Sequence, residues 1–163
     1  MHTTSETLDI GQIRIDVKVT IHADRARIWK ALTSEVAAWW GAPYLLNDAE
    51  VTDLILEPQV GGRFYEVWGN EGGALWGHVT SMKREHWIEI RGQIGMGAPV
   101  VGVVCFELRD GEEGGTQVVL SHEVMGPVDD RVQASYDGGW QDLVGDRLKA
   151  WIETGVKKGV AGR

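Results

Sequence analysis

The feature that most constrains the fold is a series of strand-like stretches separated by short clusters of turn-forming residues. The stretches lie at 50–57, 62–68, 74–82, 86–94, 100–109 and 116–124. The gaps between them are rich in Gly, Pro and charged residues. Consecutive strands joined by such short gaps pair as antiparallel hairpins, because parallel pairing needs a long crossover. The sequence therefore predicts a meander of antiparallel strands.

The segment before the meander predicts one more strand and two short helices. From Ile13 to Ile21 apolar residues alternate strictly with polar ones, which is the period of a half-buried strand. Asp24 can cap a helix over 25–33, and Ser34 can cap a second helix that reaches the Trp39–Trp40 pair. We therefore expect seven strands in total, with two short helices after the first.

The segment after the meander predicts a long amphipathic helix. Apolar residues recur at three- and four-residue steps from Val132 to Ile152. Asp129 or Asp130 can cap its start, and Gly155 can close its end. A helix of about 25 residues is about 38 Å long, and it is the one predicted element large enough to cover a sheet face. We therefore expect an α+β fold in which a seven-stranded antiparallel sheet packs on a long C-terminal helix.

The turn positions also predict which side of the sheet is buried. If each turn is centred on its cluster of Gly, Pro and charged residues, paired residue numbers have even sums, so even-numbered residues share one face. That face is mostly apolar, whereas the opposite face carries charges such as Arg91 and Glu107, so we expect the even-numbered face to be the inner one. The members of this predicted inner face are Phe64, Glu66, Trp68, Trp76, His78, Thr80, Ile88, Ile90, Ile94, Val104, Phe106, Val118, Leu120, His122 and Val124.

Three members of the predicted inner face are titratable: Glu66, His78 and His122. Because an unpaired carboxylate in an apolar setting is costly, these groups should pair or face a wet cavity. Glu66 and His78 lie on adjacent predicted strands within diagonal reach, so they are candidates for an acid–base pair. The alternative is a polar pair that fixes strand register or anchors a ligand. For His122, a ligand contact beside Tyr136 and a purely structural role both stay open.

The aromatic composition favours a surface that meets a ligand. The chain has eight Trp but only two Phe and three Tyr, and Trp combines a large apolar ring with an N–H donor. We expect an aromatic box or, alternatively, a plain aromatic core made of Trp40, Trp68, Trp76, Tyr136 and Trp140. For the other tryptophans, we expect only one of Trp39 and Trp40 to point inward, Trp29 and Trp151 to lie in the core, and Trp87 to lie on the outer face.

Two adjacent glycines, Gly138 and Gly139, fall inside the predicted long helix. Each costs about 1 kcal/mol of helix stability relative to Ala. Either the helix approaches the sheet or a ligand closely at this point, or it begins later, near Gly138.

Charge and cysteine content exclude several function classes. The 24 acidic and 16 basic residues give a net charge of −8, which argues against binding to nucleic acid or to anionic membranes. The single Cys105 forms no internal disulfide, and we find neither a metal-ligand pattern nor a cofactor motif. With no signal peptide or membrane span, we expect a cytoplasmic protein with one domain over 1–163 and flexible tails at 1–7 and 156–163.

Several local strings carry a resemblance to a known superfamily. They are Val19–Ala23 running into Ile28–Thr33, Trp39–Trp40, Glu57–Phe64, Gly77–Val79, Leu120–His122 and Gly138–Trp140. This pattern, over roughly 15–155, resembles the SRPBCC (START-like, helix-grip) superfamily, in particular the branch of the C-terminal domain of the activator of heat-shock-protein-90 ATPase. The resemblance implies a sheet wrapped around the C-terminal helix, with a pocket for a small apolar or amphipathic molecule. The superfamily includes lipid and hormone carriers, polyketide cyclases and aromatases, and hydroxylase domains.

These lines of reasoning predict a protein that binds a small hydrophobic or aromatic ligand between the sheet and the C-terminal helix, without a metal or cofactor. The predicted ligand-binding residues are Trp40, Phe64, Glu66, Trp68, Trp76, His78, Ile90, Phe106, His122, Tyr136, Trp140 and Val144. One alternative is a cyclase- or dehydratase-like enzyme that uses Glu66 and His78 as acid and base. Another is a module that contacts a chaperone, and a homodimer is a further candidate assembly.

Overall fold

The strands form one sheet with the order β1-β7-β6-β5-β4-β3-β2, and every neighbouring pair is antiparallel. The structure, a computed structural model, describes residues 1–162. The strands are β1 (Gly11–Ile21), β2 (Val51–Leu56), β3 (Arg63–Trp68), β4 (Gly73–Lys83), β5 (Trp87–Gly92), β6 (Val101–Asp110) and β7 (Thr116–Gly126). The predicted meander, which is β2 to β7, and the predicted strand before it, β1, are therefore confirmed.

The helices flank this sheet in the predicted order. They are α1 (Arg25–Thr33), α2 (Val36–Trp39), and a C-terminal helix built from α3 (Asp130–Trp140), a π-helical stretch (Gln141–Leu148) and α4 (Lys149–Thr154). A single turn of 3₁₀ helix, Glu112–Gly114, lies between β6 and β7. The C-terminal helix buries Trp140, Leu143, Val144 and Leu148 in the core that it shares with the sheet. The α+β helix-grip fold is confirmed.

The predicted ends of α1 and of the C-terminal helix coincide with observed caps. The predicted Ser34 cap of α2 is wrong, because Ser34 ends α1 and its hydroxyl donates to the Lys30 carbonyl at 3.1 Å. The Asp24 carboxylate accepts a hydrogen bond from the Arg27 backbone N–H, and Asp129 accepts from the backbone N–H groups of Arg131 and Val132. Gly155 closes the C-terminal helix in the left-handed conformation, with φ at 73°. Side-chain caps and a C-terminal glycine satisfy orphan backbone groups locally, which is why short sequence patterns could locate them.

One part of the predicted inner face is wrong because β4 contains two irregularities. Against β3, Phe64 pairs with Gly77 but Tyr65 pairs with Leu75, so Trp76 is an extra residue. An extra residue flips every following side chain to the other face. Trp76 therefore points inward, whereas His78 is exposed and Val79 takes the buried position.

The second irregularity of β4 corrects the prediction for Thr80. Val79 pairs with Ile90 on β5, but Ser81 pairs with Glu89, so Thr80 is an extra residue. Its hydroxyl donates to Glu89 at 2.8 Å on the exposed face. After Thr80 the alternation returns to the predicted phase, and Met82 pairs with Ile88.

Three glycines lie side by side on β4, β5 and β6, where the backbones pack closely. Gly92 pairs with Gly102, and Gly77 lies next to Gly92. A Cβ atom at Gly77 would come within 2.5 Å of the Arg91 carbonyl oxygen, and one at Gly92 would overlap the Trp76 carbonyl. Such glycines allow a sheet to bend sharply. The loop after β5 is joined to β4 by the Ile94 N–H, which donates to the Trp76 carbonyl at 3.0 Å, and the Ile94 side chain is buried.

The segment after the C-terminal helix packs on α2 instead of forming the predicted loose tail. The N–H groups of Lys158 and Val160 donate to the carbonyls of Ala38 and Ala37, at 3.2 and 2.8 Å. The Val160 side chain is buried. Arg163 lies outside the described residues, and residues 1–10 are exposed without regular secondary structure.

Candidate functional site

A cavity of about 190 Å³ lies between the inner face of the sheet, the C-terminal helix and the segment 41–50. Five of the twelve lining residues are aromatic, and the described residues that line the cavity include no charged side chain. The lining residues are Trp40, Pro43, Tyr44, Leu45, Trp76, Ile94, Gly95, Ser135, Tyr136, Gly139, Trp140 and Leu143. This cavity is the candidate ligand site.

The three tryptophans of the wall have their N–H groups bonded to the protein itself. Trp40 Nε1 donates to the Tyr44 carbonyl at 2.9 Å, and Trp76 Nε1 donates to Glu66 Oε1 at 3.1 Å. Trp140 Nε1 donates to His122 Nδ1 at 3.0 Å. Trp40 packs edge-to-face on Trp76 and on Trp140, with ring centroids 5.3 and 5.2 Å apart. The rings are therefore fixed in orientation while their polar atoms are already satisfied.

Glu66 anchors one side of the cavity from behind. The side chain is fully buried, and its carboxylate accepts hydrogen bonds from Trp76 Nε1, from Trp68 Nε1 at 2.7 Å and from the Leu46 backbone N–H. All three partners are donors, which matches the acceptor-only character of a carboxylate. Glu66 therefore joins β3, β4 and the 41–50 segment, and its oxygens are used for structure.

The predicted Glu66–His78 pair does not form. The extra residue at Trp76 places His78 on the exposed outer face, whereas Glu66 lies on the inner face. A β-bulge leaves no simple local pattern, so the pairing of strands alone decided this position. The acid–base alternative built on these two residues has no geometric basis.

His122 anchors the other side of the cavity from behind. Because Nδ1 accepts from Trp140, the ring hydrogen resides on Nε2. That Nε2 atom is buried and has no hydrogen-bond partner within residues 1–162. Burial lowers the pKa of His122 to about 4, so the ring is neutral at physiological pH. The Tyr136 ring packs against it with centroids 5.7 Å apart.

The rim of the cavity is held by a cluster around Arg147. Arg147 Nε donates to Asp142 at 3.0 Å, and Nη1 donates to the carbonyls of Ala42 and Lys158, both at 3.0 Å. Its guanidinium lies over the Tyr44 ring, 5.0 Å from the centroid. The Tyr44 hydroxyl donates to Asp142 at 2.8 Å. Burial, followed by the nearby Asp142, raises the pKa of Tyr44.

The two helical glycines differ in their surroundings. A Cβ atom at Gly139 would lie 3.2 Å from Cε1 of Tyr44, so the helix approaches the rim closely at this point. A Cβ atom at Gly138 would meet nothing within 4 Å. The helix begins at Asp130, well before either glycine, so close approach is the explanation that applies to Gly139.

The predicted site residues fall into three groups. Trp40, Trp76, Tyr136 and Trp140 lie on the cavity surface. Phe64, Glu66, Phe106 and His122 lie behind them and contact their rings or N–H groups. Ile90 and Val144 are buried core, Trp68 is half-buried and bonded to Glu66, and His78 is exposed. The sequence predicts that about half of the eight tryptophans surround one cavity beside Glu66 and His78. In the structure three tryptophans line the cavity.

Sequence reasoning missed the rim and part of the helix. Pro43, Tyr44 and Leu45 belong to a segment without periodic pattern, and nothing local indicated that it folds over the cavity. Gly95, Ser135 and Leu143 also line it. Leu143 could have been found, because it follows Tyr136 and Trp140 on the apolar stripe of the helix.

The remaining tryptophans correct one prediction. Trp39 and Trp40 are both buried, with 1% and 3% of their surface exposed, so the expectation that only one points inward is wrong. Trp40 follows α2 with extended backbone angles, φ −98° and ψ 114°, which turns its side chain away from the helical direction. Trp29 is buried, Trp87 is exposed, and Trp151 lies partly buried near Arg27 and Lys157.

Two further observations concern the described residues only. They contain no group of three or more His, Cys, Asp or Glu side chains arranged to hold a metal ion. Their helices are too short or too polar to span a lipid bilayer.

The sequence model of the family described as Activator of Hsp90 ATPase homolog 1-like protein matches residues 22–153. The chain belongs to this family. It lies within the SRPBCC superfamily, as the local strings and the helix-grip fold indicate. No curated protein gives a significant sequence match. A chaperone partner and a homodimer stay predictions.

Solved structures share the fold at low sequence identity. DynU16, a protein of the dynemicin biosynthetic locus, is 21% identical with a TM-score of 0.66, over 90% of this chain and 49% of that chain. The chain thus spans about half the length of DynU16. MLL2253 from Mesorhizobium loti is 18% identical with a TM-score of 0.63, over 84% and 94% of the two chains. CalU16 from Micromonospora echinospora is 16% identical with a TM-score of 0.61, over 90% and 83%.

Proposed function

We propose that the protein binds one small, uncharged apolar or aromatic molecule in the cavity between the sheet and the C-terminal helix. The observation that carries this proposal is the set of Trp40, Trp76 and Trp140, whose N–H groups are all bonded within the protein. These residues offer apolar ring surface to a ligand. An uncharged ligand fits best, because a charge would be costly in a wall without charged groups.

The volume of the cavity matches a ligand of about one ring. An apolar protein cavity of about 150 Å³ holds benzene, and the cavity here measures about 190 Å³. A benzene ring with one small substituent matches this volume. DynU16 belongs to a biosynthetic locus, which supports a small-molecule role for this fold.

Binding is favoured over a cyclase- or dehydratase-like reaction. Glu66 is occupied by three N–H donors, and His78 lies on the other face of the sheet. General acid–base work needs a group within hydrogen-bond reach of the substrate, and neither residue lines the cavity.

Calorimetric titration with ethylbenzene tests the proposal, with tryptophan fluorescence as a second readout. We expect saturable binding with one site per chain and a change in fluorescence from the wall. Leu45→Phe, which adds volume at the rim, should weaken binding at least fivefold, since overpacking a small site is unfavourable. Trp87→Phe on the outer face should leave binding unchanged and serves as the control. Absence of saturable binding by ethylbenzene, toluene and indole to the folded protein would remove the proposal.

A further inference from the structure

The polar atoms of the aromatic cavity wall are committed to the protein with one exception. The N–H groups of Trp40, Trp76 and Trp140 and the hydroxyl of Tyr44 all donate to protein acceptors. The Tyr136 hydroxyl makes no hydrogen bond within residues 1–162. It is therefore the uncommitted polar group among the aromatic lining residues of the described chain.

The hydroxyl of Tyr136 is a donor under physiological conditions. The side chain is half-buried, and this burial raises its pKa above the ordinary value of 10. A phenol that stays protonated offers its O–H to an acceptor. A donor removed from water without a partner is unfavourable, so a ligand that supplies an acceptor gains relative to one that does not.

The position of Tyr136 is set in advance by two neighbours. Its ring packs at a 60° angle on His122, and His122 is held by the N–H of Trp140. Trp140 stands one helical turn after Tyr136, so α3 and β7 together fix the phenol. Such preorganisation reduces the entropy lost on binding. The other uncommitted hydroxyl of the lining belongs to Ser135, which is exposed and can bond to water.

We infer that the cavity selects uncharged single-ring molecules that carry one hydrogen-bond acceptor, such as a carbonyl oxygen, and that Tyr136 is the residue that recognises this acceptor. This inference rests on the proposed function, because it specifies the ligand of the same cavity. The inference assigns different roles to the two tyrosines that line the cavity. The Tyr44 hydroxyl donates to Asp142, whereas the Tyr136 hydroxyl donates to the ligand.

A matched pair of ligands and a matched pair of variants test the inference. Ethylbenzene and acetophenone have nearly the same shape, and only acetophenone carries a carbonyl oxygen. The quantity to measure is the ratio of their dissociation constants, ethylbenzene over acetophenone, by calorimetry. In Tyr136→Phe we expect this ratio to fall about five- to tenfold, which is the range of one hydrogen bond, while ethylbenzene affinity stays within about twofold. In Tyr65→Phe, which removes a phenol hydroxyl outside the cavity lining, the ratio and both dissociation constants should not change.

Infrared spectroscopy of carbonyl-labelled acetophenone gives a second readout that needs no variant. In the wild-type complex the carbonyl stretch should move to lower frequency than in cyclohexane, as a hydrogen-bonded carbonyl does. An unshifted stretch, or an unchanged affinity ratio in a folded Tyr136→Phe, overturns the inference and leaves the proposed function standing. Failure of both probes to bind the wild-type protein overturns the proposed function and the inference together.

Discussion

The two walls of the cavity each place an ionisable side chain behind a tryptophan, but the two side chains are satisfied to different degrees. On the β3–β4 wall, Glu66 accepts three N–H donors from three segments. On the β7–α3 wall, His122 accepts one N–H from Trp140, and its Nε2 has no partner within residues 1–162. Both groups orient a tryptophan ring, but only Glu66 has hydrogen-bond partners for both of its polar atoms.

The difference follows from what surrounds each group. Glu66 sits where the 41–50 segment crosses β3 and β4, and that segment brings a backbone N–H to the carboxylate. His122 lies on a central strand between Val104 and Ile15, which offer no side-chain acceptor. The two walls together show that a buried polar group behind the cavity surface can serve to orient aromatic rings.

The largest expected effect is loss of the Glu66 anchor. Glu66→Ala leaves three N–H donors without their acceptor, among them the buried Trp76 Nε1, and opens a cavity at a fully buried position, so we expect the free energy of unfolding to fall by about 3–5 kcal/mol. Urea denaturation followed by circular dichroism measures this change. Glu107→Ala, which removes an exposed ion pair with Arg109, is the control and should cost less than about 1 kcal/mol. Equal losses in the two variants would show that Glu66 is not an anchor.

The second effect is acid sensitivity from His122. Its pKa is about 4 in the folded protein against an ordinary value of 6.5, so between these values the unfolded chain takes up a proton that the folded protein does not. The contribution of neutral His122 is therefore fully present above pH 6.5 and is lost as the pH falls to about 4. The total loss is roughly 3 kcal/mol.

Urea denaturation at intervals from pH 7.5 to 4.5 tests this dependence. His122→Asn keeps an acceptor near the position of Nδ1 and cannot titrate in this range. We expect the wild-type protein to lose more stability than the variant across the interval, since other groups contribute to both curves. Parallel curves would argue that His122 titrates normally.

The smallest effect distinguishes the two helical glycines. Gly138→Ala should raise the free energy of unfolding by about 0.5–1 kcal/mol, because Ala favours the helix and the site is open. Gly139→Ala should gain less, because its Cβ would lie 3.2 Å from the Tyr44 ring. It should also weaken ethylbenzene binding, as Gly139 lines the cavity. Thermal unfolding and calorimetry measure both, and identical behaviour of the two variants would contradict a close approach at Gly139.

The sequence by itself determined the elements of the fold and most of the sheet's inner face. Turn clusters set the hairpins, alternation set the buried side, and Asp24, Asp129 and Gly155 marked helix ends. These signals suffice because hydrogen bonding at turns and caps involves residues close together in the chain. Four of the five aromatic residues that line the cavity could likewise be predicted from the inner-face and helix patterns together with the Trp pair: Trp40, Trp76, Tyr136 and Trp140.

Only the tertiary structure decided which polar groups meet. The extra residue at Trp76 reversed His78, because a bulge depends on how two strands pair and not on the composition of either. The placement of Tyr44 over the cavity depended on contacts with Asp142 and Arg147, about a hundred residues later in the chain. Periodicity reports which face a residue occupies, whereas long-range packing determines the partner that it finds there.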